Sequence, residues 1–224
     1  MASTRATVAF LHTSPVHVAT FDHLMAARLP ACRLTHLVDE SLLADARRGG
    51  LDSRLAARVQ ARLDELAADS PVLIVCTCSS IGPLVEAASR PCPALRVDRP
   101  MADAAVAIAS ASGGTIGVAA ALASTVEPTR ALLSEAAAAA GTVLPPIESI
   151  PCDEAWPAFE RGDLDAYAMA IARTVRPVAG RHAAIVLAQA SMAVAQPLLR
   201  DLAVPVLDSP TLALDAIARR LGEP

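Results

Sequence analysis

The sequence predicts an α/β protein of two related halves, each a parallel sheet covered by helices. Three observations predict it. Short apolar runs alternate along the chain with longer amphipathic ones, the pattern of repeated β-α units. Several motifs recur in the same order in the second half. The 224 residues, 54% of them hydrophobic, supply enough core for one large or two small domains.

The elements follow in chain order. Residues 7–11 form an apolar strand that ends at His12-Thr13-Ser14-Pro15, and 34–37 form a second, shorter one. Leu51, Leu55, Val59, Leu63 and Leu66 recur at helical spacing and predict a helix over 51–68. A strand at 72–76 runs into Cys78, Ser79 and Ser80, and a helix is expected near Pro83 with Ser80 as its N-cap. The strand 94–97 leads into an Ala-rich helix from Pro100, and Ser112-Gly113-Gly114 turns the chain into a strand at 116–120. A helix from Val126, a strand at 143–150, a helix from Leu164 and a strand at 184–187 come next. A helix from Met192, a strand at 204–207 and a helix from Pro210 complete the chain.

The repeats are specific pairs. Val97-Asp98-Arg99-Pro100 matches Leu207-Asp208-Ser209-Pro210, each before a helix. Ile74-Val75-Cys76-Thr77-Cys78-Ser79-Ser80 matches Ile185-Val186-Leu187-Ala188-Gln189-Ala190-Ser191 at nearly the same separation. More weakly, residues 8–13 match 116–125, each a strand running into a turn with Ser or Thr. A duplication with halves 1–98 plus 208–224 and 99–207 accounts for all three. Parallel α/β sheets bind ligands at the carboxyl ends of their strands, so the site is expected in a cleft between the halves, with Cys78 on one wall and Gln189 on the other.

Composition removes several functions. The net charge is -4 and aromatics are 2%, so neither a basic face nor a base-stacking platform is expected, and nucleic acid is not a predicted partner. The chain has no Lys, which rules out a Schiff-base lysine for pyridoxal phosphate and a P-loop lysine. It has no Asn and hence no N-glycosylation acceptor. The most apolar stretch, 183–199, is broken by Gln189 and Gln196 and falls short of a membrane span. The beginning of the chain lacks the features of a secretory signal, and five cysteines without a framework spacing read as reduced thiols, so a cytoplasmic location is expected. No metal-ligand spacing, Gly-x-Gly-x-x-Gly, Gly-x-Ser-x-Gly or His-Glu-x-x-His occurs.

The residues left to carry chemistry lie at predicted strand ends. Cys78 follows an apolar strand and precedes a helix, where the helix dipole favours a thiolate; the competing reading is a buried structural cysteine. His12 ends the first strand and is a candidate acid/base group or carboxylate donor; the competing reading is a hydrogen-bonded structural histidine. His17, His23, His36 and His182 have no comparable setting. Thr13, Ser14, Ser79, Ser80, Ser124, Thr125 and Ser191, with Gln189, are candidates to bind a small anion, although Ser and Thr here also suit N-capping.

Together the strand-Cys76-Thr77-Cys78-Ser79-Ser80 segment, the matching 185–191 segment, Ser124-Thr125 and the Asp-x-Pro segments resemble the aspartate/glutamate (Asp/Glu/hydantoin) racemase superfamily. The resemblance covers nearly the whole chain. It implies two pseudo-two-fold-related Rossmann-like, flavodoxin-like domains with parallel sheets and the active site in the cleft between them. It also implies cofactor-independent chemistry on a small carboxylate, and a homodimer or higher homo-oligomer. In that family two cysteines face each other across the substrate carbon, one removing a proton and the other returning one. Cys78 matches the first position, but the second holds Gln189, whose amide is no proton shuttle at neutral pH. At the first strand end, His12-Thr13 stands where many amino-acid racemases of the family carry an acidic residue, which favours a non-amino carboxylate.

The expected activity is proton transfer at the carbon next to a carboxylate, with Cys78 as acid/base and His12 as the second base: an isomerase. Two alternatives stay open: a single-cysteine decarboxylase, lyase or hydrolase of the same superfamily, and a carboxylate-binding protein without a reaction.

Overall fold

A computed structural model describes residues 6–89 and 92–223; the first five residues, among those read for a signal, lie outside that range, as does the last residue of the first predicted half. The chain divides into two compact units: one runs to Val97 and resumes at Leu214, and the other is Asp98–Ala213.

The first unit holds β1 (Thr7–His12), α1 (Val16–Arg28), β2 (Arg33–Val38), α2 (Glu40–Gly49), α3 (Ser53–Ala67), β3 (Leu73–Cys76), α4 (Gly82–Ala87) and β4 (Ala94–Arg96). Its four strands are all parallel, in the order β2-β1-β3-β4. Every residue of β1 and β3 is buried, as expected of central strands covered on both faces, while β2 is mostly half-buried. The period-2 alternation of strands sorts the side chains. Ala9, Leu11, Ile74 and Cys76 pack with Leu55, Val59 and Leu63 of α3 and Val85 of α4. Phe10 and His12 point the other way, and Phe10 meets Phe21 of α1 with ring centroids 5.2 Å apart.

The second unit repeats this plan with α5 (Arg99–Ser112), β5 (Ile116–Ala120), α6 (Val126–Ala139), β6 (Ile147–Pro151), a short α7 (Trp156–Glu160), α8 (Leu164–Val175), β7 (Ala184–Leu187) and β8 (Val206–Asp208). Its sheet is parallel in the order β6-β5-β7-β8, so each strand has a counterpart of the same rank in the first sheet. Ala119, Ile185 and Leu187 pack with Tyr167, Ile171 and Val175 of α8, and Val118 and Val186 with α5 and α6. The last helix, α9 (Ser209–Arg220), follows β8.

The structure corrects several expected elements. α1 and α2 fall where the sequence predicts no particular helix; α1 buries only Phe21 and Met25 completely, and α2 only Leu42. β6 begins at Ile147 because Pro145 and Pro146 have no N–H to give a ladder, and Val143 is 88% exposed. The helix expected from Met192 is a 3₁₀ segment, Ala190–Leu198, with Pro197 inside it. Ser80 is no N-cap: it lies within a 3₁₀ turn, Ser79–Ile81, and Ile81 precedes α4. α4 spans only 6 residues, too short for much of the dipole expected behind Cys78. No helix among the described residues is long and apolar enough to cross a membrane.

Candidate functional site

In an open parallel sheet ligands bind where the connections leave two neighbouring strands in opposite directions. In the first sheet that place lies between the carboxyl ends of β1 and β3, at His12-Thr13 and Thr77-Cys78. In the second it lies between β5 and β7, at Ala120-Ala121 and Ala188-Gln189. Candidate residues from both halves of the sequence therefore fall at the switch point of their own sheet.

The two switch points share one backbone. Thr77 N–H donates to the Leu11 carbonyl at 3.0 Å, and Ala188 N–H donates to the Ala119 carbonyl at 2.9 Å. The next residue in each case is extended, Cys78 at φ -107° and ψ 112°, Gln189 at φ -111° and ψ 141°, and each opens a 3₁₀ segment. Positions 78 and 189 are thus structurally equivalent, one carrying a thiol and the other a carboxamide.

Gln189 is held at one end. Its Oε1 accepts from Ala121 N–H at 3.0 Å, while its buried Nε2 has no partner among the described residues. A buried amide donor left over in this way costs stability unless something accepts from it. Ser191 shares a 3.1 Å hydrogen bond with the Tyr167 hydroxyl, and burial pushes that phenol up to about 12. Thr125 donates to the Leu122 carbonyl at 2.6 Å, and Ser124 is exposed on the same 3₁₀ turn.

In the first unit Cys78 is buried at 8% exposure and Thr13 at 5%, while Ser14, Ser79 and Ser80 are half-buried. Arg96, at the end of β4 and 2% exposed, reaches the Ser79 carbonyl at 3.5 Å and Glu86 at 3.4 Å, bracing the turn behind Cys78. His12 does not present a free ring. It is fully buried, with Nδ1 2.9 Å from Thr77 Oγ1 and Nε2 2.9 Å from His36 Nδ1. Burial first, then the imidazoles of His36 and His17, pushes its pKa down to about 3. His36, which the sequence offered no reason to single out, lies beside Phe10 in the β1–β2 register and reaches Asp22 of α1 at 3.1 Å. Linear spacing hides this; the signal was that Phe10, His12 and His36 fall on one face once β2 pairs with β1. His182 is also buried, at the amino end of β7, far along the strand from the switch point. No three His, Cys, Asp or Glu side chains gather to hold a metal among the described residues.

This fold is that of the aspartate, glutamate and allantoin racemases. The aspartate racemase of Picrophilus torridus superposes with a TM-score of 0.73, over 98% of this chain and 95% of its own, at 13% identity. The glutamate racemase of Francisella tularensis, solved with D-glutamate, gives 0.65 over 97% and 81% at 15% identity. The allantoin racemase of Klebsiella pneumoniae gives 0.64 over 97% and 89% at 16% identity. No family model matches the chain, and no curated protein does.

Proposed function

We propose that this protein is a cofactor-independent enzyme that moves a proton at the carbon next to the carboxylate of a small acid, with Cys78 as its acid/base group. The observation that carries the reading is the equivalence of positions 78 and 189 in a fold shared with racemases of aspartate, glutamate and allantoin. The thiolate of Cys78 takes the α-proton and becomes a thiol, and the bond electrons pass into an enolate. Hydroxyls and backbone N–H groups of Thr13, Ser14, Ser79 and Ser80 hold the carboxylate. In the second unit, taken by itself, Gln189 offers an unspent Nε2 donor at the matching strand end and Ser124 is exposed on its 3₁₀ turn, while Thr125 and Ser191 already have partners.

One thiol serves one face. The thiol formed at Cys78 exchanges with solvent and returns its proton to the face it came from. His12, with both ring nitrogens engaged and its pKa pushed down to about 3, acts through Thr77 in this reading and not as a second base. The same observation favours a second reading, a lyase in which Cys78 protonates the carbanion left by loss of carbon dioxide.

The test is α-proton exchange in deuterated water, followed by proton NMR over a panel of small carboxylates with and without amino groups. The expected outcome is deuterium incorporation with retained configuration, lost in Cys78→Ala. Carbon dioxide release with a single product enantiomer identifies the lyase. Tight binding of a carboxylate without exchange or release, unchanged in Cys78→Ala, leaves a binding protein.

A further inference from the structure

Asp22, His36, His12 and Thr77 form a continuous hydrogen-bonded line from the surface of α1 to the residue before Cys78. The steps are 3.1 Å from Asp22 Oδ1 to His36 Nε2, 2.9 Å from His36 Nδ1 to His12 Nε2, and 2.9 Å from His12 Nδ1 to Thr77 Oγ1. Exposure falls along it: the Asp22 side chain is 54% exposed, that of His36 is 15% exposed, and His12 is fully buried.

The line has a direction. A carboxylate only accepts, so His36 carries its proton on Nε2. A neutral His36 then has a bare Nδ1, which accepts from Nε2–H of His12. His12 in turn has a bare Nδ1 and accepts from the Thr77 hydroxyl. Reversing the line through a neutral His36 would leave its bare Nε2 facing the Asp22 carboxylate at 3.1 Å, two acceptors with no proton between them.

We infer that Asp22 and His36 are positioning residues, which fix the tautomer of His12 and through it clamp the Thr77 hydroxyl at the point where the chain leaves β3 for Cys78. Thr77 is then tied twice, by its N–H to β1 and by its hydroxyl to His12, so Cys78 starts from a rigid residue. The purpose of the clamp rests on the reading of Cys78 as the reacting thiol; the tautomers do not.

The experiment is nitrogen-15 NMR of the imidazoles in the full chain at neutral pH, with the alkylation rate of Cys78 followed by peptide mass spectrometry. Wild type is expected to show His12 neutral and protonated on Nε2, and His36 with a proton on Nε2. Asp22→Leu, a change on an exposed helix surface checked by thermal melting, is expected to shift the His12 tautomer ratio by about three- to tenfold, the worth of one hydrogen bond. The alkylation rate at Cys78 is expected to change with it. Asp22→Asn keeps an acceptor oxygen and restores both. A proton on Nδ1 of His12 in wild type, a ratio unmoved by Asp22→Leu, or a Cys78 rate unmoved when the ratio shifts overturns the inference. Intact tautomers and coupling alongside an absence of α-proton exchange support the clamp and overturn the proposed function instead.

Discussion

The behaviour of His12 follows from where one ring sits. Its two nitrogens are satisfied as a neutral imidazole, and a proton added there would be buried beside two other imidazoles. In the unfolded chain His12 takes up a proton at its ordinary value of 6.5, whereas in the folded protein it does so only at about 3. Between those values the unfolded state binds more protons, so acidification destabilises the fold; the contribution is complete above 6.5 and is lost as pH falls towards 3. Chemical denaturation across this window is expected to show a slope of up to one proton, about 1.4 kcal/mol per pH unit, that is absent in His12→Gln. Parallel curves for the two proteins would show that His12 is not the group responsible. At this scale Cys78 and Gln189 were legible because each follows an apolar run that only a central strand explains. The line from His12 to Asp22 was not. Which side chains meet across neighbouring strands depends on register, and nothing in the linear order of His12, Asp22 and His36 states it.

Between residue and fold stand the short turns that carry the site. Both strand ends open into 3₁₀ segments: after Cys78 the segment passes into the expected helix, α4, with Pro83 in its first turn, whereas after Gln189 it runs on to Leu198 with Pro197 inside it and no α-helix forms. Behind Cys78 the turn leans on Arg96. A Cβ at position 82 would lie 2.6 Å from Arg96 Nε and 2.8 Å from Cζ, and the guanidinium, 2% exposed, has no open space to retreat into. Gly82→Ala is therefore expected to lose about 1–3 kcal/mol in urea unfolding, an overpacking cost, and to slow Cys78 chemistry. Wild-type stability in that variant would mean that Arg96 swings away freely and does not brace the turn. The long amphipathic helix α3 was legible from its leucine spacing, whereas α1 was not: its apolar residues surround the helix and only Phe21 and Met25 are fully buried.

For the molecule as a whole, strand rank decides protection. Amides of β1, β3, β5 and β7, whose residues are all buried, are expected to exchange hydrogen most slowly, and those of β2 and β6 faster, in both units. Equal protection across each sheet would refute this. The repeated order was foreseeable because a buried parallel strand writes itself as an unbroken apolar run, and two sets of such runs stand in one sequence. The edge strands blurred at their limits, since half-buried residues need no such bias. The matched strand ends bear on how such a protein could change its chemistry. The backbone bond common to both belongs to the preceding residue, Thr77 to Leu11 and Ala188 to Ala119. These two positions are sockets: the strand-end turn is held from outside them, so lineage drift or a designer can exchange a thiol for an amide there and alter only a local clasp, such as that of Gln189 on Ala121 N–H.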